Sequence, residues 1–298
     1  MILGGETNTL KELLTLETNR NNWEENTMTR NIIIDELEAR GYKAVATEIV
    51  KNGVVLKAII VGEGMIRPTI YTDQFENWDN VDMAAEKIIE QYESAKRNPY
   101  QFNIENALNW DYAKEHLQLC LQRKSTEDIV KRDFLDLEQY VRVFVTEDGS
   151  YKVNSEHLAK LGVSEDELFD AAWICTRKTL TANDMAEIMA EMTDLSIEEV
   201  RAMTEDCPQI VITNKYKIHG AIAMCDTDLL AKIAKEYDAN LTILPSSIHE
   251  CIVVPMVNGQ RFEELNNLVR QVNETEVLPQ EQLSDHAYYY DRRKNVIK

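Results

Sequence analysis

The chain has 298 residues, long enough for one large domain or two medium ones, since a single core stops growing at roughly 250–300 residues. Its 44% hydrophobic and 28% charged residues exclude the weakly hydrophobic, highly charged composition of disordered chains. Thirty-two basic against fifty-two acidic residues leave a net charge of -20, which repels phosphate backbones and disfavours direct nucleic-acid binding.

The same charge has two readings, solubility or a carboxylate surface that mimics DNA and occupies a basic cleft on a protein partner. No apolar run approaches the ~20 residues that span a bilayer, and Met1 to Leu10 carry no basic segment followed by an apolar one. Neither a membrane span nor a signal peptide is expected. Cys120, Cys175, Cys207, Cys225 and Cys251 are odd in number and widely spaced, with no CxxC pair. Reduced thiols in a cytoplasm are expected.

Along the chain, apolar residues at helical intervals between Thr7 and Arg40, ending at Gly41, predict a helix. Tyr42 to Val50 and Val54 to Val61 flank Lys51-Asn52-Gly53, a two-residue hairpin signal. A third strand follows at Arg67 to Tyr71, where Pro68 favours an edge. Asp79-Asn80 caps a helix from Val81 to Lys96. Residues 1–100 thus read as one unit of helix, three strands and helix, and residues 101–298 as a larger one.

That second unit opens with a predicted helix from Ile104 to Lys124, carrying Leu108, Tyr112, Leu117, Leu119 and Leu121, and a helix cap at Ser125 to Asp128. Strands at Tyr140 to Val145 and Tyr151 to Val153 flank Glu147-Asp148-Gly149. Asn154-Ser155 opens a short helix that ends near Gly162. Capping boxes at Ser164/Glu167 and Ser196/Glu199 bracket a helical block over residues 164–205 without Gly or Pro, stopped by Cys207-Pro208.

A β-rich part, residues 208–298, follows. It reads as strands at Ile210 to Thr213, Gly220 to Cys225, Leu241 to Leu244, Cys251 to Pro255 and His286 to Tyr290, with helices at Asp226 to Tyr237 and Phe262 to Val272. Paired strands with intervening helices predict an α+β fold of mostly antiparallel sheets with packed helices, in two units.

The densest polar cluster is Pro245-Ser246-Ser247-Ile248-His249-Glu250, between two apolar strands. Ser246, Ser247, His249 and Glu250 are therefore the candidate catalytic residues, since nucleophile, base and carboxylate are all present. Adjacent side chains in an extended segment point apart, however, and the Gly-x-Ser-x-Gly elbow is absent. The competing reading is a loop whose hydroxyls satisfy turn amides.

His116, His157, His219, His249 and His286 show no HxH or HExxH spacing, so no metal site is read. His249 and His286 meet only if their strands are neighbours. Gly4-Gly5 and Gly62-x-Gly64 lack the remainder of a phosphate loop, so no cofactor is read either. In the tail, Tyr288, Tyr290 and Arg292 are binding candidates, because aromatics beside cations stack bases; a Tyr-rich strand is the plainer account. Met185 to Met192 with Met203 read as core or as an adaptable partner surface.

The segments Ile210 to Asn214 (IVITN), Leu241 to Pro255 (LTILPSSIHECIVVP) and Leu283 to Arg292 (LSDHAYYYDR) resemble those of an uncharacterised domain-of-unknown-function family. Lys51 to Leu56 (KNGVVL), Pro68 to Tyr71 (PTIY) and Arg132 to Leu137 (RDFLDL) are similar too, so the resemblance covers nearly the whole chain. It implies a cytoplasmic protein of gut bacteria, often encoded near mobile or phage-like genes, and brings no catalytic residue. The resulting expectation is a non-enzymatic binding or regulatory protein with a protein partner, in mobile-element biology that counters host defence. The enzyme alternative is a hydrolase or nucleic-acid-processing activity at the Ser-Ser-Ile-His-Glu junction.

Overall fold

The computed structural model describes residues 30–63, 69–72, 80–97, 107–145, 149–193, 195–203, 208–256 and 262–298. The start of the helix read from Thr7, Gly4-Gly5, Gly64, Arg67-Pro68, Asp79, Glu147-Asp148 and Cys207 lie outside them. The chain divides into two compact units, one of Met1–Lys51 and Val55–Tyr100 and one of Asn52–Val54 and Gln101–Lys298. Sheets are antiparallel throughout and helices pack on them, an α+β fold.

In the first unit, helix α1 (residues 30–39) buries Ile33 and Leu37, one turn apart on one face. It closes in a Schellman motif, Tyr42 N–H donating to Leu37 O and Gly41 N–H to Glu38 O, both at 2.9 Å. Strands β1 (Ala44–Lys51) and β2 (Val54–Val61) turn at Asn52 and Gly53, whose φ values of 52° and 75° are those of a type I′ turn. Strand β3 (Thr69–Tyr71) pairs with β2, and helix α2 (Val81–Arg97) starts where Asn80 Oδ1 accepts from Met83 N–H at 3.1 Å. Ala84, Ala85 and Ile88 of α2 join Ile33, Leu37, Ile59, Val61 and Ile70 in one core.

The second unit corrects the predicted helix from Ile104 to Lys124. Among the described residues of that span, Ala107 is helical and Trp110–Ala113 forms a short helix, α3, after which Leu117–Arg123 is strand β4. Leu117, Leu119 and Leu121 recur with period two and point to one face, while Gln118, Cys120 and Gln122 are buried on the other, so no exposed polar residues marked the alternation. The helix cap read at Ser125 is a loop leading to β5 (Lys131–Phe134).

Strand β6 (Leu137–Phe144) pairs along β4 on one side, and on the other with β5 and then β7 (Ser150–Lys152). Helices α4 (Ser155–Leu161) and α5 (Glu165–Arg177) start at the capping boxes of Asn154 and Ser164, and Gly162 ends α4. Leu168, Phe169 and Ala172 of α5 join the same core as Leu119, Leu121 and Val141.

The helical block read over residues 164–205 is interrupted by strand β8 (Leu180–Asp184). Pairing of β8 with the fully buried β9 (Ile210–Asn214) prevails over local propensity, with Leu180 opposite Asn214 and Asp184 opposite Ile210. Helices α6 (Met185–Met192) and α7 (Ile197–Met203) complete the block, and the Ser196/Glu199 box forms at the start of α7.

Gly220–Cys225, read as a strand, is a 3-10 turn with Gly220 to Met224 all buried; an apolar run this short has no period to distinguish the two. Helix α8 (Thr227–Glu236), β10 (Leu241–Leu244), β11 (Cys251–Pro255), α9 (Phe262–Thr275), β12 (Tyr288–Asp291) and β13 (Val296–Ile297) follow. Six strands form one antiparallel sheet in the order β13-β12-β10-β11-β9-β8. Among the described residues no helix is long and apolar enough to cross a membrane.

Candidate functional site

The Ser-Ser-Ile-His-Glu junction links the two central strands, β10 and β11, of the six-stranded sheet. Ser247 N–H donates to Glu250 O at 3.2 Å, and Ser247 Oγ accepts from His249 N–H at 3.0 Å, so the serine closes its own turn. Ile248 is buried, with its N–H on Glu281 O. The His249 carbonyl accepts from Thr213 Oγ1 at 2.7 Å, anchoring the junction to β9.

The His249 ring meets His219, not His286. Strand β10 separates β11 from β12, and His286 instead bonds Ser284 Oγ through Nδ1 at 2.9 Å and lies edge-on to Tyr288. His219 N–H donates to His249 Nδ1 at 3.1 Å, and the two rings lie with centroids 5.5 Å apart. Arg142 Nη1 lies 3.4 Å from His219 Nε2, while its Nε and Nη2 donate to Ser150 Oγ.

These bonds assign the tautomers. His249 Nδ1 is an acceptor, so its neutral ring carries the proton on Nε2, 3.9 Å from Glu281 Oε1. His219 Nε2 accepts from Arg142, which places its proton on Nδ1. Both imidazole lone pairs are occupied.

His219 also sits in the left-handed region, φ 53° and ψ 32°, which is uncommon for a residue with a side chain. Gly220 explains it: the chain there is pressed so closely against Thr213, Asn214 and the His249 carbonyl that a Cβ has no room. Hydrogen bonds from Gln118 Nε2 and Asn214 Nδ2 to Ile218 O hold the preceding loop. No spacing in the sequence signals this meeting of His219, His249 and Arg142.

Of the tail candidates, Tyr288 and Tyr290 are buried, with hydroxyls on Asp136 at 2.9 Å and Asn295 at 2.6 Å. Their rings belong to the core and are not presented for stacking. Arg292 pairs with Asp238. Of the α6 methionines, Met192 is 81% exposed and Met189 39%, so this face is surface rather than core.

A polar layer covers the second face of β4 and β6. Glu138 accepts from Gln122 and Ser125, each at 2.8 Å, and Lys152 reaches Gln122, Glu127 and the Tyr140 ring. Burial lowers the Lys152 pKa against the pull of Glu127 and pushes the Cys120 thiol up to about 12, so that thiol is inert. Apart from Glu127 Oε1, which is buried without a hydrogen-bond partner among the described residues, these groups bond one another across the two strands.

A concave site lies elsewhere, where α5 faces the start of α8, in a cleft of about 320 Å3. Phe169, Asp170, Trp173 and Arg177 line it from α5, Arg132 and Gln139 from β5 and β6, and Cys225 to Asp228 from the far side. The Arg132 guanidinium lies 4.1 Å above the Phe169 ring and bonds Glu165 and Asp166; Arg177 lies 5.7 Å from the Trp173 ring centre.

Arg177 forks onto Asp226 through Nε (2.9 Å) and Nη2 (3.2 Å) and bonds Asp228 at 2.6 Å; these carboxylates raise its pKa, Asp228 most. Burial pushes the Cys225 thiol up to about 12, so it stays protonated at neutral pH. The sequence signal for this cleft was slight: an aromatic and an arginine four residues apart on a capped helix. Among the described residues no group of three or more His, Cys, Asp or Glu is placed to hold a metal ion.

One family model matches, described as a family of unknown function (DUF5688), over residues 26–292. No curated protein and no solved structure matches the chain.

Proposed function

The chain belongs to DUF5688, and we propose that this member of a family of unknown function is a non-enzymatic binding and regulatory protein that acts on a protein partner in the cytoplasm. The observation that carries this reading is how the junction spends its polar atoms. Ser247 Oγ accepts from His249 N–H, and the His249 lone pair accepts from His219 N–H. A general base needs an unoccupied lone pair facing its nucleophile, and here that lone pair is turned to the backbone. This counts against the alternative, a hydrolase or nucleic-acid-processing enzyme built on Ser246, Ser247, His249 and Glu250.

A charge of -20 favours a basic surface on the partner, and the exposed Met189 and Met192 supply an adaptable apolar contact. Together with a setting near mobile or phage-like genes in gut bacteria, which the sequence resemblance implies, these features point to a host defence protein whose basic cleft accepts carboxylates in place of DNA.

Affinity purification from the native host is expected to recover a stoichiometric partner. That partner should be released as salt rises from about 0.1 M to about 1 M, because the Debye length shrinks from about 10 Å to about 3 Å. Ser247→Ala and His249→Ala should leave recovery intact. Failure to recover any stoichiometric partner under gentle conditions, or a turnover activity abolished by both substitutions, would overturn the reading.

A further inference from the structure

We propose that the cleft between α5 and the start of α8 binds a small carboxylic acid with a planar apolar body. At about 320 Å3 it lies at the lower end of the range of small-molecule sites, roughly 300–1,000 Å3. With about 30 Å3 for each water-sized group, it has room for roughly ten of them.

The argument for an acid rests on which valences are spent. Arg132 uses Nε and Nη2 on Glu165 and Asp166, and Arg177 uses Nε and Nη2 on Asp226 and Asp228. Nη1 of each has no partner among the described residues. Asp226 is the reverse case. Both Asp226 oxygens are occupied by Arg177, and Oδ1 also accepts from the N–H groups of Asp228 and Leu229. The open Nη1 donors call for a ligand rich in acceptors, and a guanidinium matches a planar carboxylate.

The planar apolar body follows from the walls. Each guanidinium lies within cation–π distance of an aromatic ring, Arg132 at 4.1 Å from Phe169 and Arg177 at 5.7 Å from Trp173, so planar groups line the walls. Asp170 is exposed and bonds no cation among the described residues, so it opposes a doubly charged ligand about twice as strongly as a singly charged one. A dianionic phosphate ester would be repelled by it.

The test uses the full chain and three probes: phenylacetate, phenylacetamide and phenyl phosphate, followed by titration calorimetry. Phenylacetate should bind at least about tenfold more tightly than its amide, the factor that one charge-assisted hydrogen bond supplies, and phenyl phosphate no more tightly than phenylacetate. Arg132→Gln should erase the preference for the acid over the amide while far-ultraviolet circular dichroism stays unchanged. Should that variant not fold, Arg132→Lys keeps the charge without the planar fork and should lose part of the preference. Trp173→Ala should weaken both acid and amide, and Trp173→Phe should restore them. Equal affinity for acid and amide, no binding of any probe up to about 10 mM, a weak limit near -3 kcal/mol, or an unaltered preference in both Arg132 variants would overturn the assignment.

Discussion

Gly220 occupies a position where a Cβ would lie 2.2 Å from Thr213 Oγ1, 2.6 Å from the His249 carbonyl oxygen and 2.7 Å from Asn214 N. The hydroxyl is committed to His249 O, and the other two atoms are backbone, so no flexible side-chain end can yield. Gly220→Ala must part β9 from the junction, and its cost belongs at the upper end of overpacking effects, about 3 kcal/mol. A urea midpoint well below that of the parent chain, with an unchanged slope, is the expected result; a parental midpoint would mean that the strands separate without cost. At this scale the polar run Ser246 to Glu250 was legible as unusual. Its role was not, because the proton donor to His249 comes from His219, thirty residues earlier.

Among the elements, α8 depends on a residue with two duties. Asp226 caps the helix by accepting from Asp228 and Leu229 N–H at 3.0 and 3.2 Å, and it receives the Arg177 fork from α5. Asp226→Ala removes both and should cost about 2 kcal/mol, whereas Asp226→Asn keeps a good cap and should cost less than half as much. Thermal denaturation of the pair decides; equal losses would show that the guanidinium bond, not the cap, dominates. Caps were also what the sequence displayed best. Asn154, Ser164 and Ser196 bond N–H groups three residues along, so cause and effect sit within one turn. Strands β4 and β8 were misread for the opposite reason: each is specified by its partner, β6 or β9, and neither partner is a sequence neighbour.

At the scale of the whole molecule, burial acts in one direction on three thiols. Cys120 and Cys225 are pushed up to about 12 and Cys251 well above its ordinary value, against 9.0 for an unburied thiol. The folded chain therefore holds these protons where the unfolded chain releases them. Their contribution to stability is complete below pH 9 and is lost as pH rises from 9 to 12. In that window each thiol steepens the decline by about 1.4 kcal/mol per pH unit, and every released proton adds to the charge of -20. Urea midpoints should hold steady up to pH 9 and then fall, less steeply for Cys225→Ala. Midpoints unchanged at pH 11 would contradict the burial of these thiols.

The sequence by itself determined the antiparallel α+β class, the Asn52-Gly53 hairpin, the capped helices and the apolar strands of the C-terminal sheet. Each of these follows from interactions within a few residues: a positive φ, an N-cap, a period of two. Only the tertiary structure decided that Leu117–Arg123 is a strand, that Gly220–Cys225 is a buried turn, that His249 meets His219, and that Arg132 and Arg177 line one cleft. A hydrogen-bond partner tens of residues away leaves no period in the chain, and whether a lone pair is open or spent depends on that partner.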